Sequence, residues 1–281
     1  MLLNGNKDES VNELVHIREH TATSGHLFAG IRFDQHVEWK AVTIHSMRSN
    51  LDNSGFFTNT PTIPINGLDI SFPATARLLG IASTSALDTQ LGTGAQQIII
   101  EGLNALWDPI VDVVFLNGQT KVLSNIPFLR VNQTSVTSVG SAEYNQGTIY
   151  ISDLNEVFVS GAPTINVHEV IGVGWNLSSG GQYSTPRNTE AVLVLYKAAA
   201  DASDAKPYET ETWFRQNGLG LPFYNVARLL LNGGSSEFTI PTLPKVSEKT
   251  DVRLTSRSST NTDITHVTIW ASLIIKRIKR H

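Results

Sequence analysis

Hydrophobic and polar residues alternate with a period of two through most of the chain, which is the pattern of half-buried β-strands. The alternation begins near residue 30, in the stretch GIRFDQHVEWKAVTIHSM. Its apolar positions are Ile31, Phe33, Val37, Trp39 and Ala41. The pattern predicts strands with one face directed into a core.

Further strands are predicted where short apolar runs end in clusters of Gly, Asn or Pro. The N-terminal half contains a strand near Ala76–Ser83, one centred on Ile98–Ile100, a hairpin in PIVDVVFLNGQTKVLS, and strands in IPFLRVNQTSVTSVG and GTIYISDLN. The hairpin is assigned to Asn117-Gly118, because this pair accepts the two positive φ angles of a type I′ turn. The C-terminal half contains AVLVLYKAAAD, YETETWFRQNG, FYNVARLLLNGGSSEFTIPTLP, DVRLTSRSS and HVTIWASLIIKRIK.

These elements predict an all-β protein with two antiparallel halves, each resembling a β-sandwich or a jelly roll. Strands do not alternate with long amphipathic helices along the chain, so a parallel α/β sheet is not predicted. A stretch rich in Gly, Ser, Pro and Asn joins the halves. We therefore predict a first β-sandwich domain at residues 30–160. A second β-sandwich or jelly-roll domain, with a basic C-terminal tail, is predicted at residues 161–281.

Residues 1–29 are predicted to be an N-terminal arm, either a short helix or an extended segment. In DESVNELVHIREH, Asp8 and Ser10 are helix-capping residues, and Val11, Leu14 and Val15 follow at helical spacing. The same region has no basic start followed by an apolar core, so no signal peptide is predicted. No apolar stretch in the chain approaches the ~18 residues that span a bilayer.

The composition agrees with exposed strand faces and excludes several kinds of chemistry. Only 16% of the residues are charged and the net charge is −4, so no global field attracts nucleic acid. There are no cysteines among the 281 residues. Disulfides, thiolate metal sites and cysteine nucleophiles are therefore excluded.

Histidines give a weak indication of a metal site. His16 and His20 have the i, i+4 spacing of two ligands on one helix face, and His26, His36 or His45 would be the third ligand. The HExxH order of a metalloprotease is absent. A solvated helical arm explains the spacing better, and no metal is predicted.

Three carboxylates, Glu101, Asp108 and Asp112, lie near Trp107, and a carbohydrate-cleaving enzyme needs two acids. Glu101 sits on an alternating strand, where a lone acid usually faces water, and Asp108 belongs to an Asp-Pro turn. Ser, His and Asp are plentiful, so a triad stays open, but no G-x-S-x-G elbow is present. The glycine-rich GTG and GLGLP match no nucleotide-binding motif. No catalytic residue and no cofactor is predicted.

Two surface features are candidate contacts. Trp107 and Trp175 adjoin turn-like sequence and are candidates for stacking on glycans, although core packing is the usual role of Trp. The basic run KRIKRH supplies candidate assembly contacts through Lys276, Arg277, Lys279 and Arg280. A solvated tail is the simpler interpretation of that run.

Two segments, which together cover about 30% of the chain, carry an ordered series of short motifs. The first contains Gly92-Thr93-Gly94, EGL at Glu101–Leu103, Trp107, LNGQT at Leu116–Thr120, FLRVN at Phe128–Asn132, TSVGS at Thr137–Ser141 and GTIY at Gly147–Tyr150. The second is FTIPTLPKVSEKTDVRLTSRSS, which leads into a late strand. Both resemble virion structural proteins of tailed bacteriophages, especially marine ones. The resemblance implies a capsid, decoration or fibre-type β-sandwich subunit without catalytic residues.

We therefore predict a non-enzymatic structural subunit of a bacteriophage virion, in the capsid shell, its decoration, or a tail or fibre. It would act through symmetric protein–protein contacts, with copies of itself, a trimer being one expected form, and with other virion proteins. Neither sequence-specific nucleic acid nor a membrane is an expected partner. The predicted location is the virion, assembled in the host cytoplasm. The alternatives are a glycan-binding receptor adhesin of the virion and, less favoured, a polysaccharide-degrading enzyme.

Overall fold

The computed structural model of the chain describes residues 39–49, 64–65, 68–201, 207–232, 235–238, 245–258 and 266–277. Within these residues the structure consists of β-strands, connecting loops and one short 3-10 turn at Asn217–Leu219, without an α-helix. The predicted all-β class is confirmed. The predicted N-terminal arm lies outside the described residues. No helix in the described part of the chain is long and apolar enough to cross a membrane.

Twenty strands are described. In chain order they are β1 (Trp39–Ser49), β2 (Pro64–Ile65), β3 (Leu68–Asp69), β4 (Leu79–Ser83), β5 (Ala95–Leu103), β6 (Pro109–Phe115), β7 (Val122–Leu123), β8 (Arg130–Val139), β9 (Ile149–Asp153), β10 (Phe158–Val159), β11 (Ala162–Pro163), β12 (Glu169–Ile171), β13 (Gln182–Ser184), β14 (Thr189–Asp201), β15 (Pro207–Gln216), β16 (Tyr224–Asn232), β17 (Ser235–Phe238), β18 (Lys245–Val246), β19 (Thr250–Ser258) and β20 (His266–Arg277).

The strands pair antiparallel in four larger sheets and two short ribbons. The ribbons are β2-β3 and β10-β11. Residues 79–171 supply one sheet with the order β12-β9-β4-β7 and one with the order β6-β5-β8. The other two sheets have the order β1-β20-β14-β17, with β18 also paired to β14, and the order β13-β19-β15-β16.

Each pair of larger sheets shares one hydrophobic core. In the first core, apolar residues at alternate positions of β5 meet residues from β4 and β9. Its fully buried members include Leu79, Ile81, Ile98, Ile100, Phe128, Ile149 and Ile151. In the second core, the alternate residues of the central strand β20 are buried against both sheets. Its members include Ile44, Leu193, Tyr196, Tyr208, Phe214, Leu254, Ile269 and Leu273. The regular alternation predicted from the sequence therefore places the core residues.

Strand β1 belongs to the second core although it comes first in the chain. It pairs with β20 along its whole length, from Trp39 opposite Lys276 to Ser49 opposite His266. The strands at residues 79–171 are therefore inserted, in sequence, between β1 and β13. The predicted domain boundaries at residues 30–160 and 161–281 stay predictions.

The buried face of β1 is shifted by one residue from the predicted face. Val42 and Ile44 are buried, whereas Ala41, which was predicted to face the core, is half-buried.

The hairpin predicted at Asn117-Gly118 is wrong. Strand β6 on one side pairs with β5, and β7 on the other side pairs with β4, so the flanking strands lie in different sheets. Gly118 has a positive φ of 58°, but Asn117 does not, so no type I′ turn forms. The hairpin in this region joins β5 to β6 instead. Asn104 closes its turn, because its side-chain oxygen accepts the backbone N–H groups of Leu106 and Asp108.

Candidate functional site

A buried carboxylate, Asp251 on β19, joins the two cores. Arg130 on β8 donates to it from Nε at 2.8 Å and from Nη2 at 3.1 Å. Arg215, Ser184 and Asn217 donate to the same carboxylate at 2.6 to 2.7 Å. Burial raises the pKa of Asp251. The hydrogen bond and the charge of Arg130, together with Ser184 and Arg215, lower it by more than burial raises it, so the net shift of the pKa is downward. The group therefore stays ionised at neutral pH.

Aromatic rings cover the arginines of this junction. The guanidinium groups of Arg130, Arg215 and Arg253 lie 5.2 to 5.3 Å from the centre of the Phe72 ring. Trp107 covers Arg130 at 4.9 Å. Such cation–π contacts are strongest where water is excluded. The predicted glycan contact Trp107 is half-buried and has Arg130 over its ring, and its glycan role stays a prediction.

The junction brings together the two segments that carry the phage resemblance. Arg130 and Asn132 come from FLRVN, and Asp251 comes from the downstream segment, 121 residues from Arg130. Asn132 also links the cores, because its amide exchanges two hydrogen bonds with the backbone of Ser184. Sequence reasoning missed this junction. A charged residue inside an apolar strand is a signal of a buried ion pair, but the sequence gives no indication of its partner.

A cleft of about 750 Å³ lies between the two cores, beside this junction. Strands β5 and β6 form one wall, and β1, β20 and the start of β14 form the other. Its apolar lining comes from Val42, Leu103, Ile110, Val111 and Ile275. Its polar lining includes Lys40, Glu101, Asp108, Gln133, Tyr183, Arg187 and Arg277. Clefts of this size with an apolar floor and a polar rim are the usual binding sites of proteins.

The charges of the cleft are partly compensated. Asp108 and Arg187 form an ion pair of 2.5 Å, which is half-exposed. Glu101 lies near the hydroxyl of Tyr183; burial, and to a smaller extent this carboxylate, raise the pKa of Tyr183. Lys40 and Arg277 make no ion pair with another described residue. Two cations and one carboxylate therefore remain for an incoming ligand.

The three carboxylates considered for glycan cleavage do not converge. Glu101 and Asp108 line the cleft, whereas Asp112 lies on the opposite face of the β5–β6 sheet, opposite Ile100 in register. Asp112 is buried and accepts hydrogen bonds from the backbone and side-chain amides of Asn125 at 2.6 and 2.9 Å. A sheet thus separates Asp112 from Glu101, and a joint acid–base role of these two is not supported.

A Ser–His–Asp row does occur, at Ser71, His168 and Asp153. The Ser71 hydroxyl is 3.2 Å from His168 Nδ1, and His168 Nε2 is 3.3 Å from Asp153. Nδ1 is also 2.9 Å from the backbone carbonyl of Ser71, which only accepts hydrogen bonds and therefore competes with the hydroxyl for this nitrogen. The Ser71 hydroxyl also donates to the Val167 carbonyl at 3.3 Å, so the geometry does not favour transfer of the serine proton to the imidazole, which a nucleophile requires. The row cross-links the loop before β4 to β9 and β12.

Trp175, the second predicted glycan contact, lies on an exposed loop after β12. The side chain is 44% exposed. Its ring packs against His45 at 5.2 Å, and His45 packs in turn on Trp270 at 5.8 Å. Val173 and Leu177 of the same loop are also exposed. The exposed ring of Trp175 is thus supported from below by the stacked rings of His45 and Trp270, and its role in glycan binding stays a prediction.

An apolar column lies on the outer face of β6. Val111, Val113 and Phe115 alternate along the strand and are 55%, 42% and 51% exposed. Because β6 is the edge strand of its sheet, this column lies at the sheet's margin. The edge itself is partly closed, since the Val113 N–H donates to Asp112 and its carbonyl accepts from Asn125. We call Val111, Val113 and Phe115 the β6 column.

The predicted assembly contacts are only partly described. Lys276 and Arg277 are at the end of β20, where Arg277 lines the cleft. Lys279 and Arg280 lie outside the described residues, and so do His16, His20, His26 and His36. Among the residues that the structure describes, no group of three or more His, Asp or Glu side chains is arranged to hold a metal ion.

Comparison with known proteins gives no family. No family model matches the chain, and no curated protein matches it. Among solved structures, the infectious bursal disease virus Gt strain is 10% identical with a TM-score of 0.19, covering 86% of this chain and 78% of that chain. T=1 particles derived from that virus are 10% identical with a TM-score of 0.21, covering 86% and 74%. TM-scores of this size support no conclusion about fold or function.

Proposed function

We propose that this protein is a structural subunit of a bacteriophage virion, in the capsid shell, its decoration, or a tail or fibre. It acts through symmetric contacts with copies of itself and with other virion proteins, and it catalyses no reaction. In this proposal the two pairs of sheets are two sandwich- or jelly-roll-like bodies. The sequence resemblance to phage virion proteins supports the assignment to a phage particle.

The β6 column is the observation that carries the proposal. Three large apolar side chains on one regular strand face water in the isolated chain. Exposed apolar patches of this kind are typical of protein–protein interfaces. The side-chain hydrogen bonds at Val113 hinder another strand from pairing at the edge. The column therefore favours contact through the face of the sheet.

The first test measures the oligomeric state of the full chain by size-exclusion chromatography with light scattering. We expect a closed oligomer, for example a trimer, since most soluble assemblies have closed symmetry. Val113→Lys places a charge in the β6 column and should shift the population to smaller species. Leu91→Lys is the matched control, because Leu91 is 95% exposed and lies outside the column.

A strictly monomeric wild-type chain that is also absent from purified phage particles would overturn the proposal. If Val113→Lys and Leu91→Lys changed the oligomeric state equally, the β6 column would not be the subunit contact. Steady release of sugar products from bacterial polysaccharides would contradict the absence of catalysis.

Glycan recognition by the virion is the second candidate function, and exposed Trp175 favours it. An exposed ring held by stacking has little side-chain entropy to lose when a sugar packs on it. Binding to a glycan array should be lost in Trp175→Ala and kept in Leu219→Ala, which removes an exposed side chain on the 3-10 turn at Asn217–Leu219. An array without signal for the wild-type chain would eliminate this function.

A further inference from the structure

The cleft between the cores is bordered by two strand edges. On β1, the His45 carbonyl accepts from Gly181 on the side away from β20, so odd-numbered residues direct their backbone groups to that side. Ala41 has no strand partner there among the described residues. On β6, the backbone groups of Val113 point away from β5, and by the same alternation so do those of Val111. The Val113 groups are occupied by Asp112 and Asn125, so the backbone groups next to the cleft lining that stay open to a peptide are those of Ala41 on β1 and Val111 on β6.

The cleft lining has the chemistry of a peptide groove. Val42, Ile110 and Ile275 provide an apolar floor, and none of the described residues that line the cleft presents an exposed aromatic ring for stacking on a sugar. Beside the paired Asp108 and Arg187, Lys40 and Arg277 supply two further cations against one further carboxylate, Glu101. An extended peptide that binds at a strand edge gains main-chain hydrogen bonds, and its side chains enter the groove. The preferred peptide carries carboxylates beside aliphatic side chains.

The chain itself contains a segment of this composition, at residues 8–15. DESVNELV has three carboxylates, no cation, and the aliphatic residues Val11, Leu14 and Val15. We propose that the cleft is the binding site of this N-terminal segment. The excess of cations in the cleft complements the three carboxylates. This proposal does not rest on the virion role, because it needs only this chain.

The position of the cleft in the chain supports this occupant. Residues 1–38, which lie outside the described residues, join β1 at Trp39, and Lys40 already lines the cleft. The 24 residues from Val15 to Trp39 can extend to at most about 80 Å at 3.3 Å per residue. That length reaches the cleft of the same chain or of a neighbouring copy. A tethered segment also has a high effective concentration at its site.

The absence of cysteine makes a direct test available. Leu14→Cys is combined with Gln133→Cys, which lies in the cleft and outside the β6 column, or with Leu91→Cys, which is exposed and outside the cleft. The full chain is oxidised mildly, and the disulfide is followed by non-reducing electrophoresis and peptide mapping. The cleft pair should cross-link roughly tenfold faster than the control pair, because binding raises the local concentration of the two thiols. Adding Lys40→Glu and Arg277→Glu should slow the cleft pair alone.

Both kinds of cross-link support the proposal. A faster-migrating monomer shows that a chain fills its own cleft, and a covalent dimer shows exchange between copies. Equal rates for the cleft and control pairs overturn it. So does a Gln133→Cys thiol that is protected from alkylation while the Leu14→Cys thiol reacts freely, since another occupant then covers the cleft. The light-scattering test is separate, so an oligomer without this cross-link refutes only the present inference.

Discussion

At the scale of single residues, the buried polar groups of this protein stabilise the fold. Asp251 has no exposed surface, and its carboxylate is shared by side chains from both cores. Two ionised groups out of water are stable only when both are paired, because an isolated buried charge is strongly unfavourable. Arg130 therefore depends on Asp251 as much as Asp251 depends on Arg130.

Replacing Asp251 by alanine should lower the free energy of unfolding by about 3–5 kcal/mol, since it leaves the Arg130 guanidinium buried without its anion. Asp108→Ala is the control, because its pair with Arg187 is half-exposed and should contribute about 0–1 kcal/mol. Urea denaturation of both variants measures the difference. If the two variants lost similar amounts of unfolding free energy, the buried Asp251 network would contribute no more to stability than the half-exposed Asp108–Arg187 pair.

At the scale of strands, close backbone approach explains why particular glycines occupy the sheets. Gly102 ends the regular part of β5, where the pairing with β8 shifts register. A Cβ at Gly102 would lie 2.1 Å from the Arg130 backbone oxygen and 2.7 Å from the Phe128 ring. Neither neighbour can move freely, because Phe128 is in the core and Arg130 is held by Asp251. The bulge at Gly102 thus positions Arg130 for the junction.

Gly102→Ala should destabilise the protein by roughly 1–3 kcal/mol or more, as overpacking in a filled core does. Gly218→Ala is the matched control, because its Cβ would meet nothing within 4 Å and surface changes usually stay within about ±0.5 kcal/mol. Thermal and urea unfolding of the two variants measure the effect. A Gly102→Ala protein as stable as the control would contradict the close approach of Gly102 to the Arg130 backbone.

At the scale of the whole molecule, ion pairs hold distant parts of the chain together. Arg130–Asp251 joins β8 to β19, and Arg77–Asp153, with His168, joins the loop before β4 to β9. At Asp153, burial raises the pKa, but hydrogen bonds from Arg77 and His168 lower it more. Asp251 shows the same balance, with Arg130 as the main stabilising partner. Both carboxyls therefore lose protons more readily in the folded protein than in the unfolded chain.

Acid should consequently destabilise the fold. A group with a lowered folded pKa contributes stability above its unfolded value, here 3.8, and loses it as the pH falls through the folded pKa. The contribution of these two carboxyls should be constant between pH 7 and pH 5 and decrease below about pH 4. Urea unfolding across this range measures it, with Asp251→Asn as the comparison. An Asp251→Asn variant with the same acid slope as the wild type would contradict the role of Asp251.

The sequence by itself determined the strand content and the location of most strands. Alternation of apolar and polar side chains is a local property, and it placed Ile98 and Ile100 in a core correctly. It did not determine which strands pair. The Asn117-Gly118 stretch has the local chemistry of a hairpin turn, yet β6 and β7 enter different sheets because their partners β5 and β4 are set by packing.

Only the tertiary structure decided the junction and the cleft. Arg130 and Asp251 are 121 residues apart in the sequence. Lys40, Glu101 and Arg277 line the same cleft only because β1 pairs with β20 across the inserted strands. Contacts between residues far apart in the chain depend on the register and packing of whole sheets, which no local pattern encodes. The residue types that face the cleft were readable in the sequence, but their meeting was a consequence of the fold.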